Sequence, residues 1–200
     1  MTRTLAVVSA GLSQPSSSRL LADRLAAAVV RAMSDDVDVR MIELRGHAHS
    51  LVDAMLSGFP PQNLKPVLDA VASADGLIVV TPTYAASYSG LFKSFVDVLD
   101  EGMVAGKPVL IGATGGTERH SLVLDYAMRP LFTYLKAIVV PTGVYAASED
   151  WAGTTLSARI DRAAGELAHD IVLRERTIQA DPFADPREWL VVLEHVLEHV

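Results

Sequence analysis

An α/β fold built on a doubly wound, mostly parallel sheet is the class this sequence predicts. Three observations carry that expectation. Short apolar runs rich in β-branched residues alternate with longer segments whose apolar residues recur at helical spacing. Two of the runs, GLIVVT (76–81) and KPVLIGAT (107–114), are apolar almost throughout, as strands covered on both faces are. Strand–helix alternation of this kind closes into a parallel sheet with helices packed on it.

The elements follow in order. TLAVVSA (4–10) is the first strand and runs into the turn-forming cluster GLSQPSSS. Leu20, Leu21, Leu25, Ala28 and Val29 then mark a helix from about residue 17 to 33. VDVRMIEL (37–44) alternates apolar and polar residues, the pattern of an edge strand. The His-, Gly- and Pro-rich stretch 45–62 reads as a loop, and Leu64, Val67, Leu68 and Val71 as a second helical stripe. After the 76–81 strand, LFKSFVDVLD (91–100) is helical; after the 107–114 strand, so is 121–137. AIVVPTGVYA (137–146) is the fifth strand, and 154–176 a long last helix. The expected architecture is a three-layer sandwich: a five-stranded parallel sheet of order 2-1-3-4-5 with helices on both faces. Residues 1–180 form that domain, and 181–200, with two Asp-Pro steps and then an amphipathic run, form a C-terminal extension.

With 200 residues, half of them apolar, the chain can build one ordinary core. A formal charge of −7 argues against a nucleic-acid partner held through phosphates. With no cysteine, disulfides, thiolate catalysis and Cys-ligated metals are excluded. No apolar run reaches the ~20 residues that span a bilayer, and MTRTLAVVSA lacks the long apolar core of a signal peptide. The expectation is a cytoplasmic protein with no membrane contact.

In an open parallel sheet, ligands bind beyond the carboxyl ends of the strands, where strand order reverses. In the order 2-1-3-4-5 that point lies between strands one and three, so SAGLSQPSSS, TPTYAASYSG and TGGTERH share one edge. The first holds Ser9, Ser13, Ser16, Ser17 and Ser18 just before a helix, where backbone N–H groups attract anions. One serine suffices as an N-cap; five in ten residues point to a phosphate as well. The second loop offers Pro82, Thr83, Tyr84 and Ser87, and the third Thr114, Gly115, Gly116 and Thr117. Tyr84 follows a strand end, not a helical stripe, which favours a ligand contact over packing. A flat aromatic ligand with a phosphate arm fits all three loops, and flavin mononucleotide (FMN) has that shape.

Other motifs fall away. GMVAGKP (102–108) lacks the spacing of a phosphate-binding Walker loop, and no G-x-G-x-x-G follows the first strand. HVLEH (195–199) fits an inverted zinc-protease pattern but leaves no room for a further ligand after it. No metal site is expected. Pro130 removes the helical hydrogen bond to Tyr126, so a kink or π-bulge is expected there.

At these residues the chain resembles the NAD(P)H-dependent FMN reductases of flavodoxin-like fold. The likeness is strongest to the branch that supplies reduced flavin to two-component monooxygenases, including those cleaving sulfonates. Its pattern T-P-x-Y-x-x-S-Y-S-G-x-x-K stands here as Thr81, Pro82, Tyr84, Ser87, Tyr88, Ser89, Gly90 and Lys93. A second pattern, T-G-G-x-x-x-H-x-L-x-x-D-Y-A-x-x-P, covers residues 114–130. Two departures stand out. Thr83 and Ala85 replace the Glu and Asn of a common P-E-Y-N, and SAGLSQ replaces a G-S-x-R phosphate-loop start, with Arg19 the nearest arginine.

The resemblance, over residues 3–175, implies hydride transfer from NADPH or NADH to FMN, with no catalytic side chain because the flavin carries the chemistry. It implies FMN contacts from Ser9, Ser16, Ser17, Ser18, Pro82, Thr83, Tyr84, Ser87, Thr114, Gly115, Gly116 and Thr117. It also implies a homodimer or homotetramer and a flavin-dependent monooxygenase as partner. Tyr126 is either an ordinary tyrosine on a kinked helix or, as in the sulfonate-linked relatives, an interface residue serving flavin exchange. Two other readings use the same fold: a quinone or azo reductase that keeps its FMN, and a non-catalytic flavodoxin-type electron carrier.

Overall fold

The computed structural model describes residues 2–174; the expected 181–200 extension and the HVLEH motif lie outside them. The strands and helices run β1 (Thr2–Ser9), α1 (Ser17–Ala32), β2 (Asp36–Glu43), α2 (Ala48–Ser57), α3 (Lys65–Ser73), β3 (Gly76–Tyr84), β4 (Ser87–Tyr88) and α4 (Gly90–Asp97). Then come β5 (Pro108–Gly115), a π-helical turn (Leu124–Met128), α5 (Arg129–Tyr134), β6 (Ile138–Val139), β7 (Val144–Ala147) and α6 (Thr154–Leu173).

The sheet runs β2-β1-β3-β5-β6, all parallel, with β7 also beside β5 and β4 antiparallel to β3. Side chains alternate across it with the period of two that strands impose. Leu5, Val7, Ile78, Val80 and Leu110 pack under α1 and α6, while Ala6, Val8, Leu77, Val79, Val109 and Ile111 pack under the helices between β2 and β6. The result is the expected parallel sheet with helices on both faces, and β2 is an edge strand.

Three sequence expectations need correction. The sheet has seven strands among the described residues, not five. The expected fifth strand, 137–146, is divided: Val109 faces Val139, but Gly112 faces Val144, so two extra residues bulge out between β6 and β7. Pro141, which has no N–H to give the ladder, sits at this break. Several of the polar groups at the break are met by side chains. Arg129 donates to the carbonyls of Val140 (3.0 Å) and Pro141 (2.9 Å), and Glu166 accepts from both the N–H and the hydroxyl of Thr142 (2.7 Å each).

The second added strand is β4, folded back from the end of β3. The stretch 45–62 is no simple loop either, because it contains α2. Its buried Ser50, Leu51 and Ala54 form a helical face, closed by Gly58 at φ +77° in the left-handed cap position. The expected helix 121–137 starts late and carries the π-turn foreseen from Pro130: the N–H of Arg129 reaches back to the carbonyl of Leu124, five residues earlier.

Under this turn, Phe132 is fully buried, tilted against Phe92 with ring centroids 6.2 Å apart. Phe132→Ala should cost about 3–5 kcal/mol, read as a lower urea midpoint with an unchanged slope.

Candidate active site

The three loops singled out in the sequence meet at one sheet edge because their strands are neighbours in register. Ser9 lies opposite Val80, and Pro82 opposite Thr114. The chain turns from β1 into α1 on one face, and from β3 into α4 on the other.

In the first loop, Ser16 is the N-cap of α1; its Oγ accepts from the N–H of Arg19 at 3.2 Å. Ser17 opens the helix and is exposed; the first N–H groups of a helix lack intrahelical partners and attract anions. Ser9 and Ser18 are buried. The Ser18 hydroxyl shares a 2.8 Å hydrogen bond with that of Thr114, tying the start of α1 to the end of β5. Gly11 was not foreseen as a site residue. A Cβ there would collide with the Ser16 hydroxyl, so only glycine lets the loop close on its own cap.

Arg19 is already engaged by two carboxylates. It bridges Asp23 and Glu43, and the hydrogen bond to Asp23 pushes its pKa upward. With two carboxylates on it, it anchors α1 to the end of β2. A cleft of about 310 Å³ opens here, lined by Ser13, Gln14, Pro15 and Ser16 with this ion-pair cluster.

The second loop is a tight hairpin. Tyr84 pairs with Ser87, and both residues between them have positive φ, Ala85 at +47° and Ala86 at +64°. This is the backbone of the two-residue turn that suits the twist of a hairpin and normally calls for Asn-Gly. Two alanines in it are strained by about 1–2 kcal/mol each. The hairpin is locked at its base, where Thr81 Oγ1 accepts from the N–H of Ser89 (3.0 Å) and Ser89 Oγ caps α4 through the N–H of Phe92 (3.2 Å). The two tyrosines part company. Tyr88 packs on Phe92, centroids 5.7 Å apart, whereas Tyr84 at the tip is 49% exposed. Pro82 and Thr83 are half-buried between them and the sheet.

The third loop leaves β5 through Gly115 and Gly116. Thr117 caps a short 3-10 turn, its hydroxyl accepting from the N–H of Arg119 at 3.2 Å. Its carbonyl accepts from the hydroxyl of Tyr145 at 2.9 Å. Tyr145, buried in β7, is a second residue the sequence reading passed over; its only signal was its alternation within the fifth apolar run. Its hydroxyl occupies the space a Cβ on Gly115 would need. Burial pushes the Tyr145 phenol above its ordinary range; the neighbouring Thr83 hydroxyl pulls the other way, although it lies outside hydrogen-bond geometry. Among the described residues Thr83 Oγ1 is buried with no hydrogen-bond partner.

The arrangement fits FMN. It offers the first N–H groups of a helix and hydroxyls for a phosphate, a half-exposed aromatic side chain for a planar ring, and an orphaned buried hydroxyl, a group that normally finds a partner. Among the described residues no cluster of His, Asp and Glu could hold a metal ion, and no helix is long and apolar enough to cross a membrane.

Fold and site together define a flavodoxin-like α/β flavoprotein. The sequence pattern of the family described as NADPH-dependent FMN reductase matches residues 3–152. The chain is 41% identical to an FMN reductase (NADPH) of Pseudomonas aeruginosa, over 80% of this chain and 88% of that one. It is 39% identical to the NADH-dependent FMN reductase SfnF of Pseudomonas fluorescens, over 84% and 92%. A solved oxidoreductase of Corynebacterium diphtheriae, 48% identical, superposes with a TM-score of 0.85 over 87% of this chain and 99% of that one. The chain belongs to the NADPH-dependent FMN reductase family: it is an oxidoreductase that uses FMN and a nicotinamide donor.

Gly11→Ala should weaken FMN binding in a fluorescence titration, because the new Cβ displaces the Ser16 cap, and should lower urea stability by about 1 kcal/mol through the lost cap. Tyr145→Phe should cost about 1 kcal/mol near neutral pH through the lost bond to Thr117. A phenol whose pKa is raised by folding stabilises the fold below its ordinary pKa of ~10 and loses that contribution as pH rises above it. The alkaline fall in stability should therefore be shallower in Tyr145→Phe, measured by urea melts at stepped pH.

Proposed function

We propose that this chain binds FMN as an exchanging substrate, reduces it with NADPH or NADH, and releases it to a flavin-dependent monooxygenase. The observation that carries this reading is the meeting of three loops at one open edge: a helix N-terminus, a tyrosine-tipped hairpin and a glycine pair. Ser16, Ser17 and the first-turn N–H groups of α1 hold the phosphate, with Ser9 and the Ser18–Thr114 pair bracing the loop from behind. Pro82, Thr83, Tyr84 and Ser87 border the ring on one side. Gly115, Gly116 and Thr117 approach it on the other, their lack of bulk admitting backbone N–H groups to where negative charge gathers on reduction. Bound FMN supplies the hydride-accepting chemistry. The protein contributes position, and no side chain in the site is required to move a proton.

The protein acts in the cytoplasm as a homodimer or homotetramer. Supporting this, Leu122, Tyr126 and Tyr134 expose 60%, 79% and 83% of their surface around the π-turn, an apolar face that a second copy would cover. Residues 181–200 extend beyond the FMN-binding domain of 1–180.

The test is NADPH consumption in air at varied FMN, with FAD and riboflavin alongside. A rate that rises and saturates with free FMN is the expected result. Retained yellow colour, with turnover only on adding a quinone or azo dye, would replace this reading by the tightly bound alternative. Flavin binding without NAD(P)H consumption would leave an electron carrier. Tyr126→Ala should shift the species seen in light scattering towards smaller mass and alter FMN release more than the hydride-transfer rate in stopped flow.

A further inference from the structure

The cleft of about 310 Å³ where the serine loop meets the end of β2 takes no part in the flavin chemistry above. It stands at the lower end of the ~300–1,000 Å³ of small-molecule sites, room for a nucleoside and not for a whole dinucleotide. Pro15 and Leu20 give it apolar surface, and Leu20 is 45% exposed although it belongs to the apolar stripe of α1. Gln14 brings an amide that both donates and accepts. Asp23 and Glu43 bring two half-exposed carboxylates, both converging on the guanidinium of Arg19. Two negative charges against one positive leave the cluster net acidic. An ionised carboxylate has about four lone-pair sites, so both acids keep acceptor capacity for a ligand hydroxyl.

Strand register fixes where the cleft stands. Glu43, the last residue of β2, pairs with Ser9; Ser9 pairs with Val80, and Val80 with Gly112. The cleft is therefore level with the flavin edge, two to three strand spacings, ~10–15 Å, from the hairpin and the glycine loop. A dinucleotide whose nicotinamide lies on the flavin ring crosses that gap with its pyrophosphate. In dinucleotide-binding parallel sheets, an acid shortly after the first helix accepts from the adenosine ribose diol, whereas a nearby arginine accommodates a 2′-phosphate. The helix N-terminus that holds the pyrophosphate in those proteins is assigned to the FMN phosphate here, so the likeness is confined to the nucleoside end. At that end Glu43 supplies the acid, and the arginine is spent on Asp23 and Glu43. A 2′-phosphate, with a charge of about −1.5 to −2, would enter beside two carboxylates.

We propose that this cleft binds the adenosine end of the nicotinamide donor, with Glu43 on the ribose diol and the base against Pro15 and Leu20, and that it selects NADH over NADPH. This assignment rests on the reading that the chain reduces FMN with a nicotinamide donor, and it names the donor which that reading leaves open.

The test uses the full-length chain at saturating FMN. NADH should give the higher kcat/KM by about tenfold or more, because like charges set side by side reject the wrong ligand, and the difference should lie in KM. 5′-AMP should inhibit competitively against NADH, and 2′,5′-ADP far more weakly. Glu43→Arg should raise KM for NADH and lower it for NADPH. Equal use of the two donors, preference for NADPH, or a donor ratio that Glu43→Arg leaves unmoved would overturn the proposal. So would 5′-AMP that competes with FAD and not with NADH, which would give the cleft to the nucleoside half of FAD. If Glu43→Arg does not fold, Glu43→Gln and the two nucleotide inhibitors on the unaltered protein decide. Consumption of neither donor at any FMN concentration is a different failure: it would sink the reductase reading itself, and this assignment with it.

Discussion

Parallel pairing of β1 with both β2 and β3 is the constraint on which the rest of the molecule depends. A right-handed crossover from β1 to β2 places its helix on one face of the sheet; the crossover from β3 to β5, running the other way across the sheet, places its helix on the opposite face. The first turns of α1 and α4 therefore diverge, and among the described residues no element roofs the gap between them. The registers then decide what lines that gap. Because Ser9 is level with Val80, and Pro82 with Thr114, the serine loop, the tyrosine hairpin and the glycine pair all end at the same height. The Ser18–Thr114 hydrogen bond ties two of these loops across β3, so the edge behaves as one surface.

Holding open so irregular an edge has an energetic cost, and the molecule confines it. The hairpin keeps two alanines in left-handed backbone, where glycine or asparagine would be relaxed. The Thr81–Ser89 clasp at its base keeps the strain from spreading into β3 or α4. Strain of this kind gathers where function over-determines the backbone; here it aims Tyr84 outward while Tyr88 stays packed. The divided strand is handled similarly. Arg129 reaches it from the π-turn side and Glu166 from α6, so the carbonyls of Val140 and Pro141 and the N–H of Thr142 have partners. The two irregular regions are thus linked: the residue that closes the π-turn also braces the strand that carries Tyr145.

Much of this was legible in the residues. The buried strands announced themselves by unbroken apolar runs, β2 by its alternation, and α1 by its stripe and serine cap. Pro130 foretold the π-turn, because a missing N–H is a local fact. What misled were segments in which local punctuation and packing disagree. The His, Gly and Pro around α2 look like loop, yet Leu51 and Ala54 find a core to bury against and Gly58 serves as a cap, not a break. The run 137–146 looks like one strand, yet its apolar residues are shared by two short ones, because burial of Val140 and Val144 on one face matters more than an unbroken ladder. Gly11 and Tyr145 left almost no trace. One is needed because of an atom five residues away, the other because of a carbonyl in another loop.

The sequence by itself determined the α/β class, the order of the main parallel strands and, through its motifs, the family. These follow from periodicity, propensity and short-range chemistry, which act between residues close along the chain. Only the tertiary structure decided which hydroxyls are spent: Ser18 on Thr114, Tyr145 on Thr117, and Thr83 on nothing among the described residues. It also turned Arg19 to two carboxylates and, among the described residues, left Val52, Met55 and Leu56 of α2 exposed. Each of these depends on where distant strands come into register and on which side chain arrives first at a shared hydrogen-bonding group. That competition is settled in three dimensions, and no local pattern records its outcome.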